Sequence, residues 1–179
     1  MLRVTIAEQN ILIRRFSLED AAHLSDYLLG LSAATQQRFA PHGYAANAIQ
    51  AFYQQDPRLG ALIAINTKQE AIIGYAAFRQ EAFQHDLQRY TTYTDLPEAT
   101  QCMNYAPSVA DAWQGKGLGK RLLQETIALA KSANMQALVL WGGVQCDNEQ
   151  AIQYYRKNGF IELGSFIHHG CNLDMYLPL

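Results

Sequence analysis

Between Gln114 and Arg121 the sequence reads QGKGLGKR. Glycines at 115, 117 and 119 alternate with Lys116, Leu118 and Lys120, and a helical pattern begins at Gly117. A helix N-terminus presents unpaired N–H groups and about half a positive charge. Lys116, Lys120 and Arg121 add cations to that already positive end, which is favourable only when something negative binds there. Glycine lets a ligand approach the backbone closely. The stretch therefore has the chemistry of a phosphate or diphosphate site, although the same residues would also make a glycine-rich turn with solvated charges. Two phosphate fingerprints fail on it. A P-loop would need glycine at 114 and Ser or Thr at 121, where Gln114 and Arg121 stand. A GxGxxG turn from Gly115 would need glycine at 120, which is Lys120. The failures argue against a nucleoside-triphosphate-binding domain.

A second set lies downstream. Asn148 and Tyr155 are seven residues apart, which on a helix returns them to nearly the same face about 10 Å apart along the axis. Ala151 lies between them. An amide, a small gap and a phenol in line would suit a long thin ligand. Tyr155 would equally serve as a packing residue against Phe160 if Gly159 closes the helix.

The elements that must position these groups follow from periodicity. Ile11–Ile13 reads as a first strand, and Ser17-Leu18-Glu19-Asp20 as a capping box before a helix carrying Ala21, Leu24, Leu28 and Leu31. A less regular helical region spans 32–53, broken at Pro41-His42-Gly43. Runs 61–65 and 71–75 read as a hairpin across Asn66–Glu70. Residues 80–100 form a connection long enough to be functional or mobile. Met103–Val109 is the next strand, with Pro107 marking a bulge or break. From Gly117 to a stop at Asn134, Leu118, Leu122, Leu123, Thr126 and Ala130 share one helix face and Lys120, Gln124 and Lys131 the other. Ala137–Trp141 suits a buried, parallel strand. Asp147 reads as the N-cap of a helix ended by Gly159, and 160–166 and 172–177 as closing strands. The pattern gives an α/β (α+β) chain with a mixed sheet of about six to seven strands flanked by helices, in one domain over 1–179.

Composition narrows the classes. The net charge of −2 gives no basic field for nucleic acid. Cys102, Cys146 and Cys171 are far apart, odd in number and in no CxxC pair, so free thiols and no metal site are expected, as in a cytoplasmic protein. No run of about 18 apolar residues is present to span a membrane.

Together the two constellations resemble the GNAT superfamily of N-acetyltransferases. Its Q/R-x-x-G-x-G/A signature is matched by Gln114, Gly117 and Gly119. Its N-x-x-A-x-x-F/Y-Y-x-x-x-G-F stretch is matched by Asn148, Ala151, Tyr154, Tyr155, Gly159 and Phe160. The resemblance is close over 104–166. The stretches LSAATQQRF (31–39) and VADAWQGKGLG (109–119) also look like the GNAT domains of bacterial protein lysine acetyltransferases. The resemblance implies that acetyl-CoA is the cosubstrate and an amine the acceptor; from composition no metal, nucleic acid or membrane partner is expected, and the chain is expected to be a monomer or homodimer. The diphosphate would sit on the N–H groups of Gly115, Lys116, Gly117, Leu118, Gly119 and Lys120. The pantetheine arm would lie where the family's fourth and fifth strands splay apart, toward Asn148 and Ala151. The resemblance further implies that a backbone N–H near Val109 meets the thioester oxygen and that Tyr155 protonates the leaving thiolate. The lysine acetyltransferase-like members carry a basic glutamate where this chain has Asn104, which cannot accept a proton at neutral pH. Glu81, a water chain or an already neutral substrate would have to replace it. A catalytically silent acyl-CoA sensor on the same fold is the alternative function. His42 is read as a turn residue, and His168 and His169 as polar positions near a strand end. Acceptor contacts are expected from 37–53 and 80–100.

Overall fold

The strands begin earlier than the apolar runs suggest. In the computed structural model, which describes all 179 residues, β1 (Leu2–Ile6) pairs antiparallel with β2 (Gln9–Arg15) from Leu2↔Ile13 to Ile6↔Gln9. Ala7 and Glu8 turn the hairpin at φ 48° and 61°. Two consecutive left-handed residues match the twist of the flanking strands, but the usual Asn-Gly or Asp-Gly signal is absent, so the sequence hides the turn. With β7, described below, this strand raises the sheet from the expected six or seven strands to nine, all in one mixed sheet.

By contact density the chain forms two compact units, Met1–Ala77 with Ala106–Thr126, and Phe78–Tyr105 with Ile127–Leu179. In the first, β2 pairs antiparallel with β3 (Leu59–Asn66), and β4 (Ala71–Gln80) follows it in the sheet. The Asn66 side chain accepts the N–H groups of Lys68 and Gln69 at 3.0 and 3.3 Å, which turns the chain between β3 and β4. Helix α1 (Ala21–Leu29) starts after the expected capping box: the Asp20 carboxylate accepts the Ser17 N–H at 2.9 Å and both Arg14 amino groups at 2.6 Å. Burial alone would raise the Asp20 pKa; Arg14 and Ser17 outweigh it and hold the carboxyl below its ordinary value. Helices α2 (Ala33–Arg38) and α3 (Ala46–Gln54) flank the predicted break. Helix α5 (Leu118–Ser132) packs where β4 has Gly74, since a Cβ there would lie 3.0 Å from Leu122 and 3.2 Å from Leu118. Leu118 and Leu122 are fully buried, and Asn134 ends the helical stretch at φ 56°, as expected.

In the second unit the first half of β5 (Cys102–Val109) runs parallel to β6 (Ala137–Leu140), from Cys102↔Ala137 to Tyr105↔Leu140. All four β6 residues are buried, which explains their unbroken apolar run. β9 (Cys171–Pro178) pairs antiparallel with β6 and, further along, with the two-residue β7 (Val144–Gln145); β8 (Ile161–Ile167) also pairs with β9. Gly142 and Gly143 turn from β6 into β7 with φ near 70°. A Cβ on Gly143 would lie 2.6 Å from the Leu173 carbonyl oxygen, so only glycine fits.

Residues 80–101 are packed structure. Short helical turns flank α4 (Leu87–Tyr90), and Leu87, Tyr90, Tyr93 and Leu96 cover Cys102, Ala137, Val139 and Tyr176. Arg89 fixes this segment. Its guanidinium meets Asp174 on β9 at 2.5 Å and Asp86 at 2.8 Å, and lies 3.8 Å from the Phe166 ring centroid. Tyr93 donates to the same Asp174 at 2.9 Å.

One expectation is overturned. Cys146 and Cys171 form a disulfide, with Cα atoms 5.5 Å apart, and only Cys102 is a buried free thiol. The β7–β9 register brings the two together, with the Cys146 N–H on the Cys171 carbonyl at 3.0 Å. They stand 25 positions apart in the sequence, so spacing alone gives no sign of the pair. No helix is long and apolar enough to cross a membrane.

Candidate active site

The glycine turn starts from the end of β5. Ala110 donates its N–H to the Ile73 carbonyl at 3.0 Å, a short helical turn covers Asp111–Trp113, and Gln114–Gly117 lead into α5. The Gln114 amide donates to the Val109 carbonyl at 3.3 Å, so this glutamine braces the backbone that leaves the strand. Gly115 and Gly117 have φ of 71° and 89°, a region costly for residues with a Cβ. Nothing lies within 4 Å of a Cβ placed on either. Their glycine requirement is therefore conformational, and the outer side of the turn is open. The first N–H groups of α5 lack intrahelical acceptors by helix geometry, and no acidic residue sits in its first turn. Lys116 and Lys120 are exposed, with the Lys116 ammonium 5.6 Å from the Trp113 ring centroid. Arg121 is engaged along the helix with Glu125 at 2.8 Å. The turn thus joins helix-start N–H groups that have no intrahelical acceptor to two exposed cations, the equipment for binding a phosphate anion.

Asp111 ties this turn to α2. Its carboxylate accepts the Ser32 N–H at 3.0 Å, the Ser32 hydroxyl at 2.8 Å and the Thr35 hydroxyl at 2.8 Å, while Ser32 caps α2 through the Thr35 N–H. The Ser32 N–H, then the hydroxyls, hold the Asp111 carboxyl below its ordinary pKa. The stretches 31–39 and 109–119, singled out separately in the sequence, are therefore one substructure. Their link spans 79 residues and has no local signature.

His42 is more than a turn residue. Its Nε2 lies 2.7 Å from the Tyr75 hydroxyl on β4, and that hydroxyl is also hydrogen-bonded to Tyr53 of α3. Tyr27 of α1 meets Ser108 of β5 at 3.0 Å on buried atoms. Burial lowers the His42 pKa against the opposing Gly43 carbonyl bond, so the imidazole is neutral at pH 7. Within 37–53, where acceptor contacts were expected, the structure thus holds a chain of hydroxyl and imidazole groups.

The second constellation lies on α6 (Glu149–Lys157), and its cap differs from expectation. Asn148, not Asp147, is the N-cap: its Oδ1 accepts the Ala151 N–H at 3.2 Å. That oxygen is committed, which leaves the Nδ2 donors of Asn148. At the other end Gly159 (φ 89°) donates to the Arg156 carbonyl at 3.1 Å, and Phe160 to the Tyr155 carbonyl at 3.0 Å. These two bonds are a Schellman motif, and its apolar contact is Tyr155 against Phe160, with ring centroids 5.1 Å apart. The packing role of Tyr155 is real. Burial also pushes its phenol above the ordinary value, which keeps the proton on oxygen at working pH.

Asn104, where a glutamate base is expected, is fully buried. Its Nδ2 donates to the Glu81 carbonyl at 2.8 Å, and its Oδ1 has no hydrogen-bond partner. Glu81 adopts φ 64° at the end of β4, and Arg79 braces that bend by donating to the Glu81 and Ala82 carbonyls at 2.6 and 3.0 Å. Glu81 is thereby placed beside Asn104. His169 sits at φ 50° in the exposed β8–β9 turn next to His168, in agreement with a strand-end role. Trp141 packs on Phe83, and Trp113 is buried. No group of three or more His, Cys, Asp or Glu side chains is placed to hold a metal ion.

Residues 31–160 match the Acetyltransferase (GNAT) family. This chain belongs to that family. GNAT proteins use acetyl-CoA, and this one is an acetyltransferase by family. Solved structures share its fold. The GNAT domain of S. lividans PAT is 18% identical, with 99% of this chain and 96% of that one covered and a TM-score of 0.78. PaiA N-acetyltransferase from Thermoplasma acidophilum, solved with coenzyme A, is 17% identical over 94% and 99% at a TM-score of 0.67. Ribosomal-protein-S5-alanine acetyltransferase from Vibrio fischeri is 13% identical over 99% and 95% at 0.69. In this GNAT chain the matched region contains both the glycine turn and α6.

Proposed function

We propose that this GNAT protein transfers the acetyl group of acetyl-CoA to a primary amine of a small molecule or protein, by direct attack of the amine on the thioester. The observation that carries the proposal is the turn at 114–120, where two exposed lysines and two left-handed glycines stand at a helix N-terminus whose first N–H groups have no intrahelical acceptor. In this mechanism Gly115, Lys116, Gly117, Leu118, Gly119 and Lys120 hold the diphosphate, and Gln114 keeps the Val109 segment in place. The N–H near Val109 donates to the thioester carbonyl oxygen, where charge develops. Asn148 offers its Nδ2 to the pantetheine arm, and Ala151 leaves room for it. The amine loses a proton as its nitrogen bonds the acyl carbon. As the carbon–sulfur bond breaks, Tyr155 gives a proton to the sulfur and later regains one from solvent. Asn104 cannot serve as base; Glu81, whose backbone carbonyl accepts the Asn104 amide, a water chain or an already neutral amine takes that part. The parallel ladder between β5 and β6 ends at Tyr105 and Leu140 while β5 continues to Val109, which is consistent with strands that part to admit the arm.

Gly117→Val tests the turn. A β-branched residue at this φ costs about 1–2 kcal/mol, so the turn relaxes to another shape. The acetyl-CoA Kd is expected to rise about tenfold by calorimetry. An unchanged Kd would remove the turn from the binding site.

A catalytically silent acyl-CoA-binding sensor or interaction module is the second reading, favoured by the buried asparagine at 104. Coenzyme A release from acetyl-CoA, measured over polyamines, amino acids, aminoglycosides and lysine peptides, separates the two. Acceptor-dependent release with an acetylated product by mass is the expected result. Saturable acetyl-CoA binding without release on any acceptor would favour the sensor.

A further inference from the structure

We propose that the Cys146–Cys171 bond is a thiol-exchange site, open to small-molecule thiols, whose reduction weakens binding at α6; the second part rests on the acetyl-CoA reading above. The bond joins positions 25 apart in the sequence and closes a loop that contains the whole of α6. Cys146 is the second residue before Asn148, the N-cap of α6, and the Asn148 N–H bonds the Gln145 carbonyl at 2.9 Å. The sulfur bridge is thus a short lever from the helix start that carries the proposed ligand amide. Its two ends lie on different strands. On the Cys171 side, the buried Asn172 side chain donates to the His168 and Gly170 carbonyls at 2.8 and 3.2 Å and fixes the β8–β9 turn. On the Cys146 side, β7 has two register pairs with β9, and the Cys146 N–H bonds the Cys171 carbonyl at 3.0 Å. Opening the bridge removes the covalent tie between β9 and the segment that starts α6, and 146–148 are expected to loosen as a result.

Exposure favours attack on Cys171, which is exposed, while Cys146 is half-buried. A small thiolate bonds the Cys171 sulfur and expels Cys146 as a thiolate, which takes up a proton. A second small thiol then displaces Cys171 and leaves with the first as their disulfide. Two electrons pass from the small thiols to the protein, and both cysteines end as thiols. The third thiol, Cys102, is buried and takes no part.

The test uses the whole protein in glutathione and glutathione-disulfide mixtures, with desulfo-coenzyme A as a ligand that has no thiol to join the exchange. Alkylation after denaturation is expected to count one thiol in the oxidised protein and three in the reduced one. Desulfo-coenzyme A is expected to bind the oxidised form about fivefold or more tightly. By linkage, saturating ligand raises the value of [GSH]²/[GSSG] at half-reduction by the same factor. The double variant Cys146→Ser, Cys171→Ser should bind like the reduced protein and ignore the redox buffer. Equal affinity in both redox states, with no shift of the half-reduction point, overturns the proposal alone. Failure of either form to bind overturns the cofactor reading and this proposal with it.

Discussion

Replacing Tyr155 by phenylalanine is expected to lower kcat about a hundredfold and leave the acetyl-CoA KM within about twofold, as for loss of a positioned proton donor. The substitution removes one hydroxyl and keeps the ring. The contact with Phe160 and the two Schellman bonds are therefore retained, and the folded structure should lose little stability. The donor role also fixes a pH signature. Because burial raises the phenol above its ordinary value, Tyr155 stays protonated as pH rises through 7 to 9, and no fall in rate in that range belongs to it. Steady-state kinetics of the two proteins over that range check both statements. Unaltered turnover in the variant would leave Tyr155 with its packing role only.

The second large effect concerns stability. Asp174 and Asp86 are 2% and 3% exposed, and Arg89 is the cation that meets both. Burial would lower the Arg89 pKa, but Asp174 and then Asp86 reverse that and raise it, so the guanidinium is charged at every accessible pH. Arg89→Ala strands two buried carboxylates, a change that typically costs about 3–5 kcal/mol. It also strips the stacking contact from Phe166. For a chain of this length the expected fall in Tm is about 10 °C. Residues 84–101 should become the first segment cut by protease, since Arg89 is their anchor to β9. A Tm within about 2 °C of wild type would show that apolar packing of Tyr90 and Leu87 holds the segment without the ion pairs.

Much of this architecture is written locally. The face of α5 carrying Leu118, Leu122 and Leu123, its end at Asn134, and the 61–75 hairpin all arise from periodicity and turn chemistry, and each element forms where those signals lie. The buried run Ala137–Leu140 declares its parallel strand because both faces are covered. What escaped depends on partners far along the chain. β1 is too short and too polar at its turn to stand out, and β7 is two residues defined only by β9. The 80–101 segment has little periodicity because its order comes from Asp174 and Tyr176, which lie more than seventy residues downstream. In the candidate site, the glycines at 115 and 117 announce their backbone geometry through residue type alone. The clamp of Asp111 on Ser32 and Thr35, and the bond of His42 to Tyr75, are tertiary and have no pattern to read. Asp147 and Asn148 are equally good caps by residue type; helix register decides for Asn148.

Backbone hydrogen exchange with and without acetyl-CoA tests the central claim most directly. The account predicts that saturating acetyl-CoA slows exchange at 115–120, where the diphosphate is held, and at 148–155 on α6, with the β1–β2 hairpin unaffected. Protection confined to other segments, or none at 115–120 under saturation, would contradict it.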